Sequence, residues 1–139
     1  MKTFGLGVKL LIIDKATNRF LAIARNADKK LHVPEKWDIP GGRLEIGEEP
    51  LAALSRELSE EIGYTLTTEP SLIDAANIVN NNERQIVRLT YAVEDIAGNV
   101  SIALGDEHSA ATWLPIQQSD EFHPCLNQAI FKYVARQGD

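Results

Sequence analysis

Apolar residues recur along this chain in two rhythms, and the rhythms divide it into elements. Residues 4–13 (FGLGVKLLII) and 19–25 (RFLAIAR) are apolar runs closed off by Asp14, Asn18 and flanking charges, the pattern of two strands joined by a short turn. Residues 71–79 (SLIDAANIV) follow Pro70 and predict another strand. The run Asn80, Asn81, Asn82 then turns the chain into a further strand over 85–93, with Val87, Leu89, Tyr91 and Val93 on one face. Residues 100–116 predict two more short strands around a polar loop formed by Gly105, Asp106, Glu107 and His108. The second rhythm is helical. At about 100° per residue, Leu51, Leu54, Leu58 and Ile62 fall on one arc. That helix is announced by Glu48 and Glu49 ahead of Pro50 and stopped by Gly63. Phe122, Leu126, Ala129, Ile130, Tyr133 and Val134 repeat the spacing around Pro124 and predict a second amphipathic helix. Strands, one helix, more strands and a final helix suit an α+β chain whose mixed sheet lies between helices.

Composition narrows the picture. A chain of 139 residues is expected to form one domain, large enough for a substantial core. The N-terminal run MKTFGLGVKLLIID is too short to span a bilayer and has no small-residue cleavage site, so it reads as a core strand and no membrane partner is expected. One cysteine, Cys125, excludes an internal disulfide, and no Cys/His cluster suggests zinc; both fit a cytoplasmic protein. The net charge is −6, and residues 43–61 hold six glutamates against Arg43 and Arg56. Phosphate backbones need a basic surface, so a nucleic acid is not the expected partner, and an anionic substrate would have to arrive with metal.

The glutamates carry the candidate chemistry. Glu57, Glu60 and Glu61 lie on the arc beside the buried stripe, where like charges three and four residues apart repel. No lysine or arginine stands four residues beyond any of the three, so another cation is expected to relieve them. Oxygen-only ligands at this density suit a hard divalent ion, magnesium or manganese, rather than zinc. Taken alone, the cluster leaves a solvated acidic helix face as the alternative.

The spacing adds a further clue. Gly42, five residues, Glu48, seven residues, then Arg56, Glu57, Leu58, Glu60, Glu61 and Gly63 reproduce the Nudix box, and the chain resembles the Nudix hydrolases, in particular their MutT-like members. One position departs from the pattern: Tyr64 stands where an aliphatic residue is usual. The resemblance implies an α/β/α sandwich and hydrolysis of a nucleoside diphosphate linked to another group, with magnesium as cofactor and manganese as the alternative. It implies metal ligation by the Gly41 carbonyl, Glu57, Glu60, Glu61 and a loop glutamate, here Glu107. Arg56 is implied to pair with a neighbouring glutamate and fix its rotamer, and Glu48 to be structural or outer-sphere. The general base is Glu57 or Glu107, since members of the family differ on this point. Arg25, at a strand end, is implied to contact substrate phosphate; Lys29, Lys30 and His32 in the following loop read as solvated charges. His108 reads as an exposed loop histidine, and Trp37 as packing.

For substrate, the resemblance points to a small-molecule nucleotide. Markers of the NADH and coenzyme A members are absent, and Val79 stands where many ADP-ribose enzymes have proline. The balance favours a nucleoside triphosphate, oxidised ones included. An ADP-ribose or nucleotide-sugar pyrophosphatase is the alternative within the enzyme class, and a non-catalytic nucleotide sensor the alternative outside it. Many relatives dimerise, which leaves a homodimer open.

Overall fold

The computed structural model describes residues 1–25, 36–106 and 108–137. Its elements follow the apolar runs: β1 (Thr3–Asp14), β2 (Arg19–Arg25), β3 (Trp37–Asp38), β4 (Gly41–Arg43), α1 (Pro50–Ile62), β5 (Ser71–Asn80), β6 (Arg84–Glu94), β7 (His108–Pro115) and α2 (Pro124–Gln137). In the turn between β1 and β2, Asn18 adopts φ 55°, a left-handed conformation that asparagine tolerates.

The sheet is mixed, with β1 at its centre. On one side β1 runs parallel to β6 from Thr3–Arg84 to Ile13–Glu94, and β5 pairs antiparallel outside β6. On its other side β1 is shared. β2 pairs with it only at Ile13–Phe20 and Asp14–Arg19, while β4 takes the stretch Gly7–Arg43 to Lys9–Gly41. β2 instead carries β7 along its length and β3 at Ile23 and Ala24. This parting of β1 and β2 lets the Gly41–Gly42 segment enter the sheet.

A helix covers each face, giving the three layers. Val8, Leu10 and Ile12 of β1 pack with Leu54, Leu58 and Ile62 of α1, while Leu11 and Ile13 pack with Leu126, Ala129, Ile130 and Tyr133 of α2. Phe122, just before α2, meets Phe20 edge-to-face at 5.6 Å. Because both faces are covered, β6 buries both of its own. Tyr91 and Val93 join the α1 layer as the alternation predicts, and Ile86, Arg88, Thr90 and Ala92 are buried on the opposite side.

Two expectations need correction. Residues 100–104 are not a strand. They run past the C-terminus of α1, where the Ala103 and Gly105 amides donate to the Ile62 and Glu61 carbonyls, so their backbone satisfies a helix end instead of a neighbouring strand. Val134 lies outside the buried stripe of α2 and is 49% exposed; Cys125 occupies the stripe at its other end. Burial there holds the Cys125 thiol above its ordinary pKa, consistent with an inert core thiol. Among the described residues no helix is long and apolar enough to cross a membrane.

Candidate active site

The site begins with two consecutive glycines. Gly41 has φ 141°, and a Cβ on it would lie 2.0 Å from the Val8 carbonyl oxygen, so no other residue fits against β1 there. Its N–H donates to Glu61 Oε1 at 2.7 Å. Gly42 has no positive φ, yet its absent side chain matters equally: a Cβ would fall 2.4 Å from the Glu57 carboxyl carbon. Each glycine thus seats one carboxylate of α1, Gly41 by a hydrogen bond and Gly42 by making room.

Helix α1 presents those carboxylates because its Leu54–Leu58–Ile62 stripe is locked into the core and Pro50 and Gly63 fix its ends. The Gly63 and Tyr64 amides close the last turn onto the Ser59 and Leu58 carbonyls, with Gly63 left-handed at φ 65°. Tyr64, the departure from the box, is buried as packing requires, and its hydroxyl donates to Asp95 Oδ2 at 2.9 Å. Burial first, and then the Asp95 hydrogen bond, push its pKa up.

Arg56 organises the acids. Its Nε and Nη2 grip Glu48 at 2.8 and 2.9 Å, and Nη2 also donates to the Arg43 carbonyl. Its Nη1 reaches Glu57 at 3.0 Å and Glu60 at 3.5 Å. Arg56 precedes Glu60 by four residues, so the helix carries a cation of its own among these acids, paired with neighbouring glutamates as the resemblance implies. The two hydrogen bonds from Arg56, followed by the Glu45 amide, hold Glu48 at about 2, well below the usual carboxylate range. Glu48 is therefore an ionised strut for Arg56.

Glu57, Glu61, Arg56 and Gly41 come together, with Glu60 at the edge and 62% exposed. Glu107 lies outside the described residues, as do Lys29, Lys30 and His32. The Arg25 backbone, at the end of β2, pairs with His108 at the start of β7. The His108 side chain is not exposed: it is 6% accessible, with Nε2 3.5 Å from Glu61 Oε2. Trp37 packs against the α2 layer with the Lys36 ammonium over its ring at 5.2 Å, the packing role expected of it.

Among the described residues, no three acidic, His or Cys groups converge into a ready-made metal cluster. Glu57 is turned onto Arg56 and Glu61 onto the Gly41 amide. The donor set nevertheless fits a hard divalent cation. It is all oxygen, each carboxylate keeps lone pairs beyond the bonds it accepts, and the hollow over Gly42 keeps Glu57 at the turn.

Three residues beside this turn had no signal of their own in the chain. Arg88, on β6 and 1% exposed, donates both terminal nitrogens to Asp38 of β3, at 3.0 and 2.8 Å. Lys9 Nζ lies 3.9 Å from the same carboxylate. Asp38 in turn accepts the Ile39 amide, three residues before Gly42. Burial alone would raise the Asp38 pKa, but the charges of Lys9 and Arg88 and the hydrogen bonds outweigh it and hold it at about 2. A carboxylate depressed in the folded state contributes stability that is complete above its unfolded pKa and is lost as pH falls through the folded one. Between about pH 4 and pH 2 the protein is expected to lose about 2 kcal/mol from this group. Urea unfolding across that range checks it, with Asp38→Asn flattening the slope.

The NUDIX domain family matches residues 3–136. Over 129 residues the chain is 40% identical to an 8-oxo-dGTP diphosphatase of Escherichia coli (strain K12), spanning 91% of this chain and 95% of that protein. It is 46% identical over 57 residues to an 8-oxo-dGTP diphosphatase of Proteus vulgaris, a match that spans 41% of this chain and about half, 48%, of that protein. Among solved structures, the MutT NUDIX hydrolase from Burkholderia pseudomallei superposes with a TM-score of 0.76 at 21% identity, covering 94% of this chain and 98% of that one; this likeness is one of fold.

Proposed function

The chain belongs to the NUDIX domain family, and from that premise we propose that it is a nucleotide pyrophosphohydrolase that uses water to cleave a nucleoside triphosphate, oxidised purine nucleotides included, into a nucleoside monophosphate and pyrophosphate. The observation that carries the reading is the pair Glu57 and Glu61, seated on Gly42 and Gly41 within one turn. The 8-oxo-dGTP diphosphatase of Escherichia coli, alike over nearly its whole length, supports the substrate class.

In this reading Glu57, Glu61 and the Gly41 carbonyl hold magnesium or manganese, with Glu60 contributing from the exposed edge. A metal held there would neutralise the phosphate chain and lower the pKa of a water. Arg56 is a positioning residue: its grip on Glu48 and on the Arg43 carbonyl leaves Nη1 aimed at Glu57 and fixes that rotamer. Either Glu57 or Glu107 accepts the proton of the attacking water, and Arg25 binds a substrate phosphate.

The test is a panel of canonical and oxidised nucleoside triphosphates, ADP-ribose, dinucleoside polyphosphates and nucleotide sugars, assayed with magnesium for phosphate and pyrophosphate release. One nucleoside triphosphate is expected to stand at least about tenfold above the rest in kcat/KM, a difference of about 1.4 kcal/mol in transition-state binding. The Glu57→Gln, Glu61→Gln double variant is expected at background, because glutamine keeps the shape and the hydrogen-bond acceptor but removes the charge. Wild-type turnover no higher than that of the double variant would end the enzyme reading.

A further inference from the structure

The last turn of α1 and the segment that runs past it fit backbone against backbone, and two glycines make the fit. A Cβ on Gly105 would lie 2.7 Å from the Glu60 carbonyl oxygen, and one on Gly63 would lie 3.3 Å from the Ala103 Cβ. Two hydrogen bonds tie the same surfaces, from the Ala103 amide to the Ile62 carbonyl at 2.9 Å and from the Gly105 amide to the Glu61 carbonyl at 2.8 Å. The His108 amide then donates back to the Gly105 carbonyl at 3.4 Å, and the His108 side chain brings Nε2 to 3.5 Å from Glu61 Oε2. One short segment thus meets Glu61 twice, at its main-chain carbonyl and at its carboxylate. The other carboxylate oxygen accepts the Gly41 amide at 2.7 Å, so the two oxygens face separate elements.

We propose that Gly105 and His108 are positioning residues for Glu61: the glycine lets the segment close onto the end of α1, which sets His108 against the carboxylate and fixes its rotamer. The inference rests on the reading of Glu61 as a group that takes part in the reaction. Gly105 has no positive φ, so alanine suits its backbone; what alanine meets is a main-chain oxygen, which cannot swing aside as a side-chain end can. The segment must therefore lift off the helix and carry His108 with it. The regular ladder of β7 on β2 breaks between Ala24 and Arg25, the point where His108 joins it.

The experiment compares wild type with Gly105→Ala, His108→Leu and His108→Gln, each first shown to melt cooperatively. The Gly41 amide is followed by 15N NMR in protein without added metal, since that proton is bonded to Glu61 and reports the place of the carboxylate without turnover. In Gly105→Ala and His108→Leu it is expected to shift upfield and to exchange with solvent about tenfold or more faster. With magnesium and the preferred nucleoside triphosphate, the same variants are expected to lose about tenfold or more in kcat, with KM within about threefold of wild type. Glutamine keeps a nitrogen at the reach of Nε2, so His108→Gln is expected to recover most of both effects. A Gly41 amide unchanged in both Gly105→Ala and His108→Leu overturns the proposal; if Gly105→Ala does not fold, His108→Leu decides it. A displaced amide with unchanged kcat overturns the role in the reaction. Wild-type protein without turnover ends the enzyme reading and the kinetic role with it, while the amide comparison still decides whether the segment seats Glu61.

Discussion

Alanine at position 42 is expected to lower kcat/KM about a hundredfold or more, with a change in stability within about 1 kcal/mol. The two effects separate because of what the new methyl group meets. It would stand 2.4 Å from the Glu57 carboxyl carbon and 2.5 and 2.7 Å from its two oxygens, its three nearest atoms, and these are the far end of a flexible side chain. The backbone at Gly42 needs no left-handed conformation, so alanine fits the chain itself. Glu57 must therefore swing off the turn while the fold stays, and a displacement of an ångström at a reacting centre is enough for such a loss. Kinetics on the preferred substrate and a thermal melt check both halves. Full activity in the alanine variant would mean that the carboxylate seated on Gly42 takes no part in the reaction. At Gly41 the same methyl group would collide with backbone at 2.0 Å, so that substitution would confound folding with function.

The largest effect on stability is expected at Arg88. Arg88→Met leaves Asp38 half-buried without its two-pronged partner, and stranding one member of a buried pair typically costs about 3–5 kcal/mol. For a chain of this size that is a fall in Tm of roughly 10 °C. Desolvating two charges is itself unfavourable, so removing both should hurt less than removing one. Asp38→Asn combined with Arg88→Met is expected to regain a substantial part of the loss. Urea denaturation of the three proteins gives the coupling directly. A single variant as stable as wild type would show that the pair contributes nothing to the fold.

The box helix was legible because everything that defines it is local: the Leu54–Leu58–Ile62 stripe, Pro50 and Gly63 at the ends, and glutamates at fixed offsets. The hairpin β1–β2 and the strands β5 and β6 were legible for the same reason. What was not legible is set by partners far along the chain. Arg88 and Asp38 meet across 50 positions, and each, seen alone, is a charged residue in or beside an apolar run. Alternation marked only one face of β6 because it cannot tell a sheet with one covered face from a sheet with two. Residues 100–104 have a strand's composition, but the Ala103 amide, like that of Gly105 just after, donates to a carbonyl at the end of α1. His108 reads as exposed until β7 pairs with β2 and brings it to Glu61. Val134 keeps the helical spacing of its stripe yet is 49% exposed, while Tyr133 beside it is buried.

The pairing of β4 with β1, along the stretch that β2 leaves unpaired, bears on how such a protein can diversify. The segment holding Gly41 and Gly42 hydrogen-bonds to the central strand and lies under a buried helix, so it can loosen only when the interior of the sheet does. Substitutions at the rim can reshape what the protein accepts while the reacting groups keep their places. Invention at the periphery is safe here because the part that must not drift is woven into the part that cannot.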